Sequence, residues 1–182
     1  MQPQPSPRIR PDSATEDQAT RRDLRVVTTP RSGWWFRSLG IATAALVGVG
    51  GYVHWYLYRH GYRTIPTIGV GFLLQVVASA IVAAALLAGP RHIARLAHVT
   101  DRFAGAVTGL AAAALAAATL AAFALTRTPG GLFNFQERGL QPSPQALIAL
   151  VAEAGVLVVL GGWLVADHAV RRAVRTVPHT PA

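Results

Sequence analysis

The chain has 182 residues, a formal net charge of +9, and neither cysteine nor lysine, so all 17 of its basic side chains are arginines. The lack of cysteine excludes disulfides, thiolate metal sites and cysteine nucleophiles. So basic a balance would point to nucleic acid in a soluble protein. Here 52% of the residues are hydrophobic and the arginines cluster at the ends of apolar runs, where they act as topology signals, so no nucleic-acid partner is expected.

Residues 1–33 are rich in Pro, Gln, Ser, Thr, Asp and Arg. They hold too little apolar surface to offset the entropy of ordering and are expected to be a disordered arm. Trp34, Trp35 and Phe36 follow, beside Arg37, and read as an anchor in the headgroup region. A secretory leader is not expected, because the first apolar run begins only near residue 38 and is longer than the roughly 7–15 apolar residues of a leader.

Four apolar runs then occupy most of the chain, at 38–58, 65–89, 103–126 and 145–166. No Asp, Glu, Lys or Arg occurs from Thr64 to Pro90 or from Phe103 to Thr126. About 20 such residues in helical form span the hydrocarbon core of a bilayer. Lipid offers the backbone no hydrogen-bond partner, so each run must be helical. The expectation is an all-α membrane protein, a four-transmembrane-helix bundle over 34–170, with a tail at 171–182. Pro66 and Pro144 each precede a span, with Gln75 and Glu153 at equal distances after them. That similarity is consistent with two parallel helical hairpins, although proline at a helix start is also common for its own reasons.

The arginines set a direction. Seven precede the first run, three lie between the second and third (Arg91, Arg95, Arg102), and three follow the fourth (Arg171, Arg172, Arg175). The two remaining loops hold two each: Arg59 and Arg63, then Arg127 and Arg138. Thirteen against four places both termini in the cytoplasm of a bacterial plasma membrane, N-in and C-in. Along the third run Gly105, Gly109, Ala113, Ala117 and Ala121 recur every four residues. Such a small-residue stripe serves close helix packing, within the bundle or across a homodimer, and alanine-rich helices also show stripes without using them.

Each run carries a hydrogen-bonding side chain toward the same end: His54, Gln75, Thr119 and Glu153. In the N-in orientation all four fall in the outer half of the membrane. Glu153 lies roughly 12 Å below the outer boundary at about 1.5 Å per residue. A carboxylate there costs at least about 2.5 kcal/mol, so it must face the interior, carry a proton or find a partner. Polar side chains also bridge membrane helices with no further task, and Gln75 and Thr119 fit that role. Of the two outer loops, the second brings Leu132, Phe133 and Phe135 close to the bundle mouth. It is expected either to lid the polar cluster, with Glu137 meeting Arg59, Arg63 or Arg138, or to lie in the headgroups.

No metal is expected, since His54 and Glu153 would be two ligands without a third. No cofactor is expected either: a bis-histidine haem needs a second intramembrane histidine at the same depth, and phosphate-binding and dinucleotide fingerprints are absent. Nor is there a catalytic motif, so the chain reads as non-enzymatic.

The stretches Gly-Tyr-Val-His-Trp-Tyr-Leu from Gly51, Gly-Tyr-Arg-Thr-Ile-Pro-Thr-Ile-Gly-Val-Gly-Phe-Leu-Leu ending at Leu74, Gly-Gly-Leu-Phe-Asn-Phe-Gln-Glu ending at Glu137, and Ala-Leu-Val-Ala-Glu ending at Glu153 resemble small four-span membrane proteins of actinobacteria. The resemblance covers about residues 40–166, with His54, Pro66, Gly69 and Glu153 matching best. It implies membrane residence and carries no assigned activity. The leading expectation is a small bundle that partners lipid and other membrane proteins or binds a small ligand in its outer half. The rivals are a transporter or proton-coupled subunit using Glu153 and His54, and a redox-associated subunit contacting quinone.

Overall fold

Among the described residues, five helices follow one another in the computed structural model of the protein: α1 (Ser32–Arg59), α2 (Pro66–Ala88), α3 (Pro90–Ala97), α4 (Asp101–Leu125) and α5 (Gln145–Arg175), with a 3-10 turn (Tyr62–Thr64) between the first two. The structure describes residues 32–175, with side chains at 37–169 and 172. The chain divides into Met1–Phe36 and Arg37–Ala182, and the description below is of the second unit. The arm at 1–31, the side chains of Trp34, Trp35 and Phe36, and residues 176–182 lie outside the described residues.

Four segments, Arg37–Arg59, Pro66–Ala88, Asp101–Leu125 and Gln145–Ala169, are long and apolar enough to cross a membrane. In the α2 and α4 segments only 11% of the most apolar stretch is buried within the chain. Val70, Leu74 and Ile81 on α2, Leu110 on α4, and Val151, Val158 and Val165 on α5 all face outward. Water would not tolerate so large an apolar surface on a monomer. Lipid tails are as apolar as these side chains, so the same surface fits a multi-pass membrane protein.

Because lipid supplies no hydrophobic drive between helices, they hold together by close packing and interhelical hydrogen bonds. The innermost cluster is accordingly built of small side chains: Val47 of α1, Ala112 and Ala116 of α4, and Val156 of α5, flanked by Val82, Ala83 and Leu86 of α2. The inward face of α1 runs through Thr43, Val47, Gly50, His54 and Leu57, at three- and four-residue steps. On α5 it runs through Ala146, Ala149, Glu153 and Val156. α4 packs against α2, α3 and α5, but along Ala104, Ala112 and Ala116. That line lies one position before the anticipated stripe. Gly105 and Ala113 are half-buried, Gly109 has nothing within 4 Å of an added Cβ, and Ala117 and Ala121 are exposed. A one-residue shift turns a helix by about 100°, enough to exchange a packed face for a lateral one.

Two boundaries differ from the sequence reading. The connection between the second and third spans contains α3, opened by Pro90 at its first turn and ended by His98 in the left-handed region. Arg91 and Arg95 are exposed while Ala94 is buried, which makes the short helix amphipathic. The next helix starts where Thr100 Oγ1 accepts the Phe103 N–H at 3.3 Å, a cap that satisfies one of its free donors. At the other end of the chain, α5 continues past residue 166 to Arg175, into what was expected to be a tail.

α1 lies close against α2 at Gly51, where an added Cβ would stand 2.7 Å from Ser79 Cβ. Ser79 Cβ cannot swing away, so Gly51→Ala must push the helices apart. It should cost about 1–3 kcal/mol and lower the melting temperature in detergent. Gly48→Ala, with nothing within 4 Å of the new atom, should leave it unchanged; equal melting of the two variants would refute this contact.

Candidate functional site

At the end of the bundle holding the 3-10 turn and the segment 126–144, the loop end, the helices part around a cavity of about 300 Å³. His54, Gln75, Thr119 and Glu153 all line it. Helical periodicity delivers each of them: His54 and Glu153 sit on the inward faces of α1 and α5 described above. The equal offsets from Pro66 and Pro144 bring Gln75 and Glu153 to the same depth.

There the Gln75 Nε2–H donates to Glu153 Oε1 at 3.4 Å, a long bond between α2 and α5. Glu153 is only 2% exposed. Its place depends on Gly50, since an added Cβ at that position would lie 2.6 Å from Oε1. The other carboxylate oxygen, Oε2, has no hydrogen-bond partner among the described residues. His54 Nδ1 lies 2.8 Å from the carbonyl of Gly50. A carbonyl only accepts, so Nδ1 carries the proton, and in the neutral ring Nε2 is left as an acceptor. Thr119 Oγ1 donates back to Leu115 O at 3.0 Å within its own helix. Of the four, then, only Gln75 and Glu153 are bonded to each other; His54 and Glu153 share the cavity without a hydrogen bond between them. All four carry polar atoms with capacity to spare, Thr119 only as an acceptor.

Above this floor the walls are aromatic. Phe72 stands 5.1 Å from the His54 ring, Tyr62 stacks on Phe72 at 4.7 Å, and Phe135 meets Tyr62 edge-on at 5.9 Å. Gly69 permits this arrangement. An added Cβ there would come within 2.9 Å of Tyr62 O and 3.0 Å of Arg63 Cα, so only glycine lets the 3-10 turn sit on the first turns of α2.

The loop at 126–144 does fold over the mouth, bringing Leu132, Phe133 and Phe135 into the cavity lining, although Phe133 is 70% exposed. The partner of Glu137 is Arg127, at 3.1 Å, and not Arg59, Arg63 or Arg138 as anticipated. The same carboxylate accepts a hydrogen bond from the Tyr62 hydroxyl. Arg127 is held by several further bonds: it donates to Phe123 O, Thr126 Oγ1, Gly139 O and Gln141 O. Its guanidinium also lies 3.3 Å above the centre of the Phe123 ring. Burial, and after it the bond to Glu137, pushes the Tyr62 phenol well above its ordinary value. It therefore stays a donor, and its contribution is complete below about pH 10 and is lost only as pH rises through the raised value.

Tyr62, Arg127 and Glu137 were not singled out as a group by the sequence, because they lie on three separate segments. Phe72 and Gly50 gave no signal apart from being part of apolar runs. No group of three His, Cys, Asp or Glu side chains that could hold a metal ion occurs among the described residues. Ser79 Oγ, buried between α1 and α2, has no hydrogen-bond partner among the described residues.

Removing Arg127 would leave the Glu137 carboxylate, whose side chain is 15% exposed, without its cation. Arg127→Leu should cost about 3 kcal/mol and open the loop at 128–144 to limited proteolysis. Tyr62→Phe, which deletes one hydrogen bond, should cost nearer 1 kcal/mol. Equal protease resistance of Arg127→Leu and the parent would show that the loop is held by other contacts.

Comparison of this chain with protein-family models, with curated proteins and with solved structures gave no match.

Proposed function

We propose that the protein is a non-enzymatic membrane component that binds a small, mostly apolar ligand in the cavity at its loop end. The observation that carries this reading is the convergence of His54, Gln75, Thr119 and Glu153, one from each of four apolar helices, on one cavity of about 300 Å³. That volume is at the small end of the range for ligand sites. Polar atoms with spare hydrogen-bonding capacity, surrounded by apolar walls, are what fixes a ligand's orientation in such sites. Helix bridging alone would need only the Gln75–Glu153 bond. The arginine distribution supports placement in a bacterial plasma membrane with both termini cytoplasmic, so that the cavity lies in the outer half. Lipid and other membrane proteins, a second copy included, would be its partners through the outward apolar faces.

Gly71 lines the cavity and has nothing within 4 Å of an added Cβ. Gly71→Leu should fill part of the space without strain. Protein purified in mild detergent should carry a small apolar compound detectable by mass spectrometry, and the variant should carry about tenfold less or lower, with an unchanged melting temperature. Equal amounts in both proteins, or none in the parent, would overturn the proposal.

One observation favours a second reading, a proton-coupled transporter or subunit: Glu153 is buried near mid-span with Gln75 as its only hydrogen-bond partner among the described residues. An ionisable group so placed marks ion pathways. In liposomes Glu153→Gln should abolish a pH-dependent flux if this reading holds. If the parent protein shows no such flux, or the variant retains it, the ligand-binding reading stands alone.

A further inference from the structure

We infer that the ligand is a bilayer-dissolved hydroxy compound of the phenol or quinol class, which enters between α2 and α4 and donates its hydroxyl to His54 Nε2. This inference rests on the ligand-binding reading proposed above.

The polarity of the site selects a donor. The Gly50 carbonyl holds the proton of His54 on Nδ1, so the ring offers the cavity an acceptor. Glu153 Oε2 is a second acceptor. An anionic head would meet two carboxylates, Glu153 and Glu137. The one guanidinium at the site, Arg127, is spent on Glu137, three backbone carbonyls and a threonine hydroxyl. A neutral hydroxyl satisfies an acceptor without the cost of taking a charge into hydrocarbon.

The walls select a ring. Tyr62, Phe72 and His54 form a continuous run of aromatic contacts at 4.7 and 5.1 Å beside the cavity. Faces and edges so arranged take a further aromatic ring in offset or edge-on contact.

The position of the opening selects the phase from which the ligand comes. Gly71 on α2 and Ala118 on α4 line the cavity and are also exposed on the surface of the bundle. Gly71 lies five residues into α2 and Ala118 seven residues from the end of α4. At about 1.5 Å per residue these are depths of roughly 8 and 10 Å, inside the hydrocarbon rather than at the water boundary. Toward the loop, where Thr67 and Phe133 are also exposed, the Tyr62–Glu137–Arg127 contacts cross the rim.

The test is a titration of the full-length protein in lipid nanodiscs, read by tryptophan fluorescence. The probes are a decyl-substituted hydroquinone, its dimethyl ether and a decylammonium salt. The hydroquinone should bind at least about tenfold more tightly than the ether, which has the same shape and no donor. His54→Phe should erase that preference while still binding the ether, and His54→Gln, which keeps an acceptor, should restore part of it. Ala118→Phe, at the opening, should slow hydroquinone association several-fold.

A preference that survives in folded His54→Phe overturns the inference. So does an ether or ammonium probe that binds the parent as tightly as the hydroquinone; in both cases ligand binding in the cavity would stand and the hydroxy class would fall. An association rate unchanged by Ala118→Phe overturns lateral entry. If none of the probes binds and no compound co-purifies with the parent, both the inference and the reading beneath it fail.

Discussion

The close approach of α1 to its neighbours at Gly50 and Gly51 is the constraint on which the loop-end half of the bundle depends. With no side chain at 51, Ser79 of α2 can lie against the α1 backbone. With none at 50, the Glu153 carboxylate of α5 can do the same one residue earlier. The Gly50 carbonyl also takes the Nδ1 proton of His54. One turn of α1 thus sets the α1–α2 spacing, the position of the buried carboxyl and the tautomer of the histidine. In a bilayer, where apolar contact between helices has no advantage over contact with lipid, such backbone-to-side-chain approach is what holds the helices in register.

A second set of contacts shapes the opposite wall of the cavity. Arg127, two residues past the end of α4, gathers the carbonyls of Gly139 and Gln141, drawing the following segment back over the helix ends. Glu137 then lies between Arg127 and Tyr62, tying that segment to the turn before α2. Each of these groups is costly to bury alone. Together they satisfy one another, which is the condition under which a polar network adds rigidity. The cavity therefore lies between the packed helices and a hydrogen-bonded loop, with Gly71 of α2 and Ala118 of α4 exposed at its side.

Much of the helical framework was legible in the residues, and the reason is the solvent. Uncharged runs such as 65–89 and 103–126 permit only a helix, because hydrocarbon leaves the backbone no other way to satisfy its hydrogen bonds. The four polar interruptions were legible for the same reason: each is expensive in lipid and must turn inward, and all four line one cavity. The short helix α3 escaped notice, since its amphipathic pattern runs for only eight residues, from Pro90 to Ala97, and so short a stretch passes for a loop. The small-residue stripe on α4 was misplaced by one position because an alanine-rich helix offers several such stripes, and only the neighbours it packs against select one.

The choice of partners was beyond the sequence altogether. Arg127 read as one of many charges near a span end, and three arginines seemed as able to meet Glu137. Which one does so depends on how far the loop folds back, a matter of a few ångströms that periodicity cannot express. Likewise nothing about a glycine in an apolar run says that a carboxylate will rest against it. Residue chemistry and spacing dictated the four apolar helices and the inward turn of one polar side chain on each, because those follow from the cost of exposing charge and backbone to lipid. The cavity, its roof and the orientation of the His54 ring came from the meeting of segments far apart in the chain, where the geometry of contact, not the preference of any single residue, makes the selection.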